Sequence, residues 1–354
     1  MFKTLKDISV TNKRVLVRCD FNVPLDKRGN ILDDYRIVQS LPTIKYLIEQ
    51  KAKIILMSHL DPESTGVADK KYNLNQIGKR LSDLLEMPII KVNDCVGPEA
   101  ESQSNNLEAT KILLLENLRF HKEETDGDLD FAKKLSFLGD IYVNDAFSVC
   151  HRNHASITGI PKFLENCAGL LLEKEINSLD KILNNPEKPM TAIVGGKKVE
   201  TKSKFIDKIS EVADYVLVSG LLKKEIIEKK INFKYSEKII GPTEDLAALD
   251  IDQKTSNEFR EKILQSKTIL WNGPFGRFED EKYAAGTLAI AYAIIESKAF
   301  SVVGGGETVE FLQKQGIIQK FSHVSTGGGS MLSYLAGDEL PGLTALKKND
   351  EKQN

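Results

Sequence analysis

Residues 14–19, Arg-Val-Leu-Val-Arg-Cys, and residues 53–58, Lys-Ile-Ile-Leu-Met-Ser, flank a segment, 35–50, whose apolar residues recur with the helical period. The flanking runs are continuous apolar blocks and do not alternate with polar residues, which marks strands covered on both faces. The same reading gives strands at Lys111–Glu116 (KILLLE) and Asp140–Asn144 (DIYVN). A second set follows at Met190–Gly195, Tyr215–Ser219, Thr268–Trp271 and Phe300–Gly304, with the helical period returning at Glu281–Ser297. Alternating strands and helices of this kind predict an α/β fold with two doubly wound, parallel-sheet lobes.

The amphipathic stretch Leu170–Asn184 separates the two strand sets and stops at Asn184-Asn185-Pro186, so it is read as a central helix joining the lobes. The expected division is 1–170, an interdomain helix over 171–187, and 188–337. Lys347–Asn354 (KKNDEKQN) lacks apolar periodicity and reads as a loose tail.

Composition narrows the function. A chain of 354 residues with net charge −2, about −1 in each half, has neither the basic footprint of a nucleic-acid binder nor an acidic tail. Cys19, Cys95, Cys150 and Cys167 are widely spaced, so free thiols in a reducing compartment are expected. No leader-like or bilayer-length apolar segment occurs, and a soluble cytoplasmic protein without membrane contact follows as the expectation.

Ligands of open α/β sheets bind beyond the carboxyl ends of strands. In the first half those ends carry Asp20-Phe21-Asn22 with Arg36 further on, then His59, then Asn117 and Arg119, then Asp145 and Cys150-His151-Arg152-Asn153-His154. Three guanidiniums and two or three imidazoles converging there predict a small polyanion as ligand, because arginine grips carboxylate and phosphate with two parallel hydrogen bonds. His151-x-x-His154 is too closely spaced for a helical zinc pair. In the second half the strand ends are glycine-rich: Gly195-Gly196 with Lys198 and Lys202, Asn272-Gly273-Pro274, Gly304-Gly305-Gly306-Glu307-Thr308, and Ser325 to Gly329. Glycine turns opening helices suit phosphate, and a carboxylate such as Glu307 beside phosphate suits Mg²⁺. Neither a Walker A sequence nor G-x-G-x-x-G is present. One half prepared for a small anion and one for a nucleotide predict phosphoryl transfer, with lobe closure excluding water. A dinucleotide-dependent dehydrogenase is disfavoured, since no ribose-binding fingerprint appears.

Taken in order, VLVRCDFNVPL, LLLENLRFHKEE, YVNDAFSVCHRNHAS, WNGPFGRFE, VVGGGET and HVSTGGG resemble the phosphoglycerate kinase family over nearly the whole chain. The resemblance implies a monomer of two doubly wound lobes whose C-terminal segment, about 338–354, rejoins the first. It implies Mg²⁺-dependent, reversible phosphoryl transfer between 1,3-bisphosphoglycerate and ADP in glycolysis. It further implies that Asp20, Phe21, Asn22, Arg36, His59, Arg119 and Arg152 bind 3-phosphoglycerate. Nucleotide contacts would come from Gly196, Lys198, Lys202, Asn272, Pro274, Glu279, Gly305, Gly306, Glu307 and Thr308. Arg36 and Lys198 would act in catalysis, and Glu307 would hold the metal.

Several positions depart from the family pattern. Ser58-His59-Leu60-Asp61-Pro62 stands where Ser-His-Leu-Gly-Arg-Pro is usual, so one arginine is missing and an acid sits nearby. The lost charged contact is expected to weaken anion binding by about 1.5–3 kcal/mol. Glu307 replaces an aspartate, Lys197 an alanine and Arg277 a small apolar residue, and some tens of residues are absent between Lys223 and Leu249. These departures motivate the alternative of a catalytically weak or inactive relative acting as a binding or scaffold protein.

Overall fold

The computed structural model describes residues 2–60 and 66–347. The chain divides into two compact units, Met1–Lys174 with Glu339–Asn354, and Glu175–Asp338. The expected tail lies, beyond Lys347, outside the described residues, as do Asp61 and Pro62.

The first unit holds six strands: β1 (Arg14–Arg18), β2 (Lys53–Met57), β3 (Ile89–Lys91), β4 (Ile112–Leu114), β5 (Ile141–Asn144) and β6 (Glu165–Ala168). They form one parallel sheet in the order β3-β4-β2-β1-β5-β6, with Val15 registered on both Ile54 and Ile141. The second unit repeats the plan with β7 (Met190–Val194), β8 (Tyr215–Val218), β9 (Ile239–Ile240), β10 (Thr268–Asn272), β11 (Phe300–Gly304) and β12 (His323–Val324). Its order is β12-β11-β10-β7-β8-β9, again parallel throughout. Both sheets are doubly wound. The chain starts in the centre, winds to one edge, returns and winds to the other, so strand order reverses between β1 and β5 and between β7 and β10. A crevice opens beyond the strand ends at such a reversal.

The eight strands expected from the sequence all form, with ends shifted by a residue or two, and they include every interior strand. Their apolar residues are buried on both faces, as continuous runs require. The four strands without a sequence signal, β3, β6, β9 and β12, are the sheet edges. They are two to four residues long, too short for a periodic signal, and their pairing is imposed by the neighbour already in place.

Helix Tyr35–Glu49 covers β1 and β2 through Ile37, Leu41, Ile44 and Leu47, whose three- and four-residue spacing puts them on one face. The helix Leu170–Asn184 carries the chain from the first unit into the second. Its start is capped from a distance: Asp145 Oδ1, just past β5, accepts the N–H groups of Leu171 at 2.9 Å and Leu172 at 3.3 Å. A carboxylate there answers both the unpaired amides and the positive end of the helix dipole. Glu281–Ser297, expected as one helix, is a 3₁₀ turn over Glu281–Tyr283 followed by a helix over Ala285–Ser297.

Candidate active site

In the first unit the crevice at the β1/β5 reversal gathers positive charge. Asp20 follows β1 and is buried, and its Oδ2 takes Arg36 Nη1 at 2.7 Å and the Ser148 hydroxyl. Arg36 Nη1 also donates to the Asn22 carbonyl at 3.1 Å, so the guanidinium is held from two sides although a third of the side chain is exposed. Phe21 is fully buried and its N–H donates to Ser58 Oγ at 2.8 Å, which ties the end of β1 to the end of β2. Asn117 acts as a clamp beyond β4. Its Oδ1 accepts the N–H groups of Leu60 and Arg119, and its Nδ2 donates to the carbonyls of Leu60 and Tyr72.

His59 is buried with Nδ1 3.2 Å from Arg18 Nη2. Burial first, then the guanidiniums of Arg18, Arg119, Arg152 and Arg36, hold its pKa well below the ordinary imidazole value. His154 is pushed down to about 3 by the same causes, burial and then Arg119, Arg18 and Arg152. Three arginines, Arg18, Arg119 and Arg152, therefore project their fields onto both rings, and Arg36 adds its own at His59. The contact of 3.9 Å between His154 Nδ1 and Glu124 is no ion pair, because the imidazole is neutral and Glu124 is committed to the backbone N–H and hydroxyl of Ser156. His151, half-buried beside Arg152 Nε at 3.4 Å, is lowered as well, chiefly by burial.

Arg18 is the residue that the sequence reading did not select. It is fully buried, donates to Ser156 Oγ at 2.9 Å and to the Cys19 carbonyl, and through Ser156 connects to Glu124. The signal was available: a charged residue ending an interior strand behind the apolar run Val15-Leu16-Val17. An inward-facing arginine there must serve something polar, since burying an unserved charge is prohibitive.

In the second unit a cavity of about 490 Å³ opens at the β7/β10 reversal, and its walls include Gly196, Lys198, Lys202, Pro274, Glu279 and Glu307. Lys197 and Arg277 line it too, and Leu221, Leu249, Ile251, Phe275 and Phe278 supply apolar wall. Burial draws the pKa of Lys202 down to about 8 against the pull of Glu307, and its ammonium donates to the Gly195 carbonyl. Asn272, Gly305, Gly306 and Thr308 are not part of the cavity wall. Thr308 Oγ1 is buried and accepts the Gly273 N–H at 2.9 Å, so it shapes the turn after β10.

The glycines fall into two kinds. A Cβ on Gly195 would lie 2.1 Å from the Pro274 carbonyl oxygen, so this glycine is required by the close approach of two chain segments and not by any ligand. A Cβ on Gly306, at the start of the helix Gly306–Lys314, would meet nothing within 4 Å. Only the second kind leaves backbone open to a phosphate.

The family model for phosphoglycerate kinase matches residues 5–233 and 222–338. The phosphoglycerate kinase of Chlorobium phaeobacteroides is 40% identical over 393 aligned positions, covering 97% of this chain and 99% of the relative. That of Dictyoglomus turgidum is 42% identical over 389 positions, with 97% and 98% covered. Because the alignments exceed 354 positions, this chain is shorter than the relatives it spans. Among solved structures, phosphoglycerate kinase from Pyrococcus horikoshii superposes with a TM-score of 0.88 at 32% identity, covering 99% of this chain and 100% of that one. The enzyme from Coxiella burnetii gives 0.83 at 31%, with the same coverage. With fold, strand-end residues and near-complete coverage agreeing, the chain belongs to the phosphoglycerate kinase family.

Proposed function

We propose that this chain catalyses reversible phosphoryl transfer between 1,3-bisphosphoglycerate and ADP, giving 3-phosphoglycerate and ATP, as a glycolytic kinase with a carboxyl group as acceptor. The observation that carries the reading is the convergence of Arg18, Arg36, Arg119 and Arg152 on His59, a partly buried cationic cluster matched to a ligand with phosphate and carboxylate groups.

In this reading Arg119, Arg152 and His59, with Asn22, hold 3-phosphoglycerate. Arg36, fixed by Asp20, offers its exposed edge to the transferring group, whose equatorial oxygens gather charge in the transition state. Lys198 and Lys202, with the open backbone at Gly306, receive nucleotide phosphates, and Glu279 faces the rest of the nucleotide. A mobile ammonium such as Lys198 can follow the phosphoryl group as it moves, with no covalent intermediate required.

Glu307 fits a Mg²⁺ ion: it is an exposed carboxylate on the cavity wall at a helix start, and one carboxylate plus phosphate oxygens is the donor set this ion takes. When bound, Mg²⁺ would neutralise phosphate charge and so lower the barrier to transfer. Cytoplasmic location and a monomeric state complete the proposal, without nucleic-acid or membrane partners. Four buried free cysteines suit a reducing compartment, and among the described residues no helix is long and apolar enough to cross a membrane.

The catalytically weak or scaffold reading is not favoured: the cationic cluster and the two lysines on the cavity wall, Lys198 and Lys202, support a working kinase. The test is a linked assay with both substrates varied, in which ADP must form from ATP only when 3-phosphoglycerate is present. Arg36→Ala is expected to lower kcat by roughly 10²–10³-fold, the scale for losing one preorganised transition-state donor, while the KM for ATP changes little. Absence of turnover at millimolar substrates in the unmodified chain sinks the proposal.

A further inference from the structure

A second constellation lies in the first unit, away from the residues assigned above. Asp94 and Cys95 follow β3, and His121 follows the 3₁₀ turn Leu118–Phe120 beyond β4. One carboxylate oxygen, the thiol sulfur and one imidazole nitrogen from these three residues all lie within 4.8 Å of one another. His121 Nε2 is 2.7 Å from Asp94 Oδ1, and the same oxygen accepts the Cys95 N–H at 2.6 Å. The imidazole is stacked on Phe131 with ring centroids 5.1 Å apart, which fixes the plane in which its nitrogen points. The sulfur is buried, the imidazole half-buried and the carboxylate exposed, so the cluster has a closed back and an open mouth.

We propose that Asp94, Cys95 and His121 form a binding site for one borderline-soft divalent cation of the zinc class. A thiolate, an imidazole and a carboxylate are the donor types such an ion takes, and a thiolate is a poor donor for Mg²⁺. Tetrahedral bonds of about 2.0–2.3 Å set ligand atoms roughly 3.3–3.6 Å apart. The Asp94–His121 pair must therefore open by under 1 Å and the farther contacts close by little more. Three protein ligands leave a fourth position to water at the exposed side.

The charge and proton balance is simple. The ion replaces the thiol proton, which leaves to solvent as the sulfur–metal bond forms. In the metal-free chain Nε2 carries the proton it donates to Asp94; on metal binding that proton leaves to solvent from the imidazolium, or moves to Nδ1 in the neutral ring, so the imidazole binds through Nε2 with its remaining proton on Nδ1 and Asp94 binds as carboxylate. The cation's charge offsets the burial that otherwise keeps the Cys95 thiol protonated.

The test is titration of the full chain, stripped with chelator, with Co²⁺ alone. The expected result is one equivalent bound, with a thiolate-to-cobalt charge-transfer band and intense visible bands of a tetrahedral site, both abolished by added Zn²⁺. Cys95→Ser should remove the charge-transfer band, and His121→Gln should lower Co²⁺ affinity at least tenfold. If Cys95→Ser fails to fold, His121→Gln carries the test, since that side chain is half-exposed. No charge-transfer band, a band persisting in Cys95→Ser through Cys19, Cys150 or Cys167, or unchanged affinity in His121→Gln would each overturn the assignment.

Discussion

Lowering the pH below about 6.5 should destabilise the first unit through its neutral imidazoles, and His154 allows the size to be worked out. Its folded pKa lies at about 3, whereas an unfolded histidine titrates near 6.5. Between these values the unfolded chain holds a proton that the folded one refuses, so stability falls as pH falls through that window and is fully present above it. Between pH 7 and pH 5 the difference integrates to about 2 kcal/mol for this residue. His59 is displaced in the same direction by the same guanidiniums and adds to the loss.

The perturbation is His154→Gln, which removes the titrating group and keeps a polar side chain. The assay is urea unfolding at pH 7 and pH 5, followed through hydrogen exchange of the β1 and β5 amides. Trp271, the single tryptophan, is buried in β10 and reports the second unit as an internal reference. The variant should lose about 2 kcal/mol less than the parent on going to pH 5, roughly 1 M in urea midpoint for a typical slope. Saturating 3-phosphoglycerate should shrink the pH sensitivity of the parent, because a polyanion cancels the guanidinium fields that add to burial in holding the rings neutral. Equal losses in parent and variant would refute the reasoning, since the imidazole would then not be kept neutral by its surroundings.

Two further outcomes follow from the second unit. Glu175 is fully buried and accepts His323 Nε2 at 2.8 Å and the Thr326 N–H and hydroxyl at 2.6 and 2.8 Å, so Glu175→Ala should cost about 3–5 kcal/mol by orphaning these groups. Glu175→Gln, which keeps an acceptor for Thr326, should cost distinctly less, and equal losses read by Trp271 fluorescence would count against this network. A Cβ on Gly276 would lie 1.9 Å from the Tyr283 carbonyl oxygen and 2.6 Å from Asp250 Oδ1 on the cavity wall, so Gly276→Ala should cost about 1–3 kcal/mol and weaken nucleotide binding. A fluorescent-nucleotide titration indistinguishable from the parent would separate that wall from the nucleotide site.

Much of this was legible in the sequence, and the limits have physical reasons. Interior strands must be apolar on both faces, so KIILM and TILWN announce themselves. An edge strand such as Ile239–Ile240 is made by its neighbour, and nothing in a two-residue run can say so. Arg36, Arg119 and Arg152 were visible because they follow strand ends, where α/β sheets place ligands. Arg18 was hidden inside a strand, since a reading that scores the run as apolar passes over the charge that ends it. Asp145 was noticed as a strand-end residue, but its role as a distant cap for Leu171 and Leu172 depends on a contact across 26 residues. The Asp94–Cys95–His121 cluster has no signature along the chain for a like reason: His121 comes from a different strand end.

The cationic cluster also explains how a chain of net charge −2 can present a strongly positive site. Positive charge is concentrated by burial, and the companions of the guanidiniums are chosen to add none. Both imidazoles are held neutral, while Asp20 and Glu124 supply compensating carboxylates from behind. Asp20 engages Arg36 directly, whereas Glu124 reaches Arg18 only through the Ser156 hydroxyl. The folded chain therefore holds its guanidiniums together before any ligand arrives, and an anion bound among them gains from all of their fields. Such preorganised charge needs no rearrangement when negative charge grows on a transferring group, which is the condition under which electrostatics lowers a barrier most. The sign of a substitution outside the contact set follows from the same fields. Arg18→Met should remove one of these fields, raise the pKa of His59 and lower anion affinity together. A variant in which affinity fell while His59, followed by NMR titration, stayed neutral to the same pH would show that Arg18 acts by packing and not by charge.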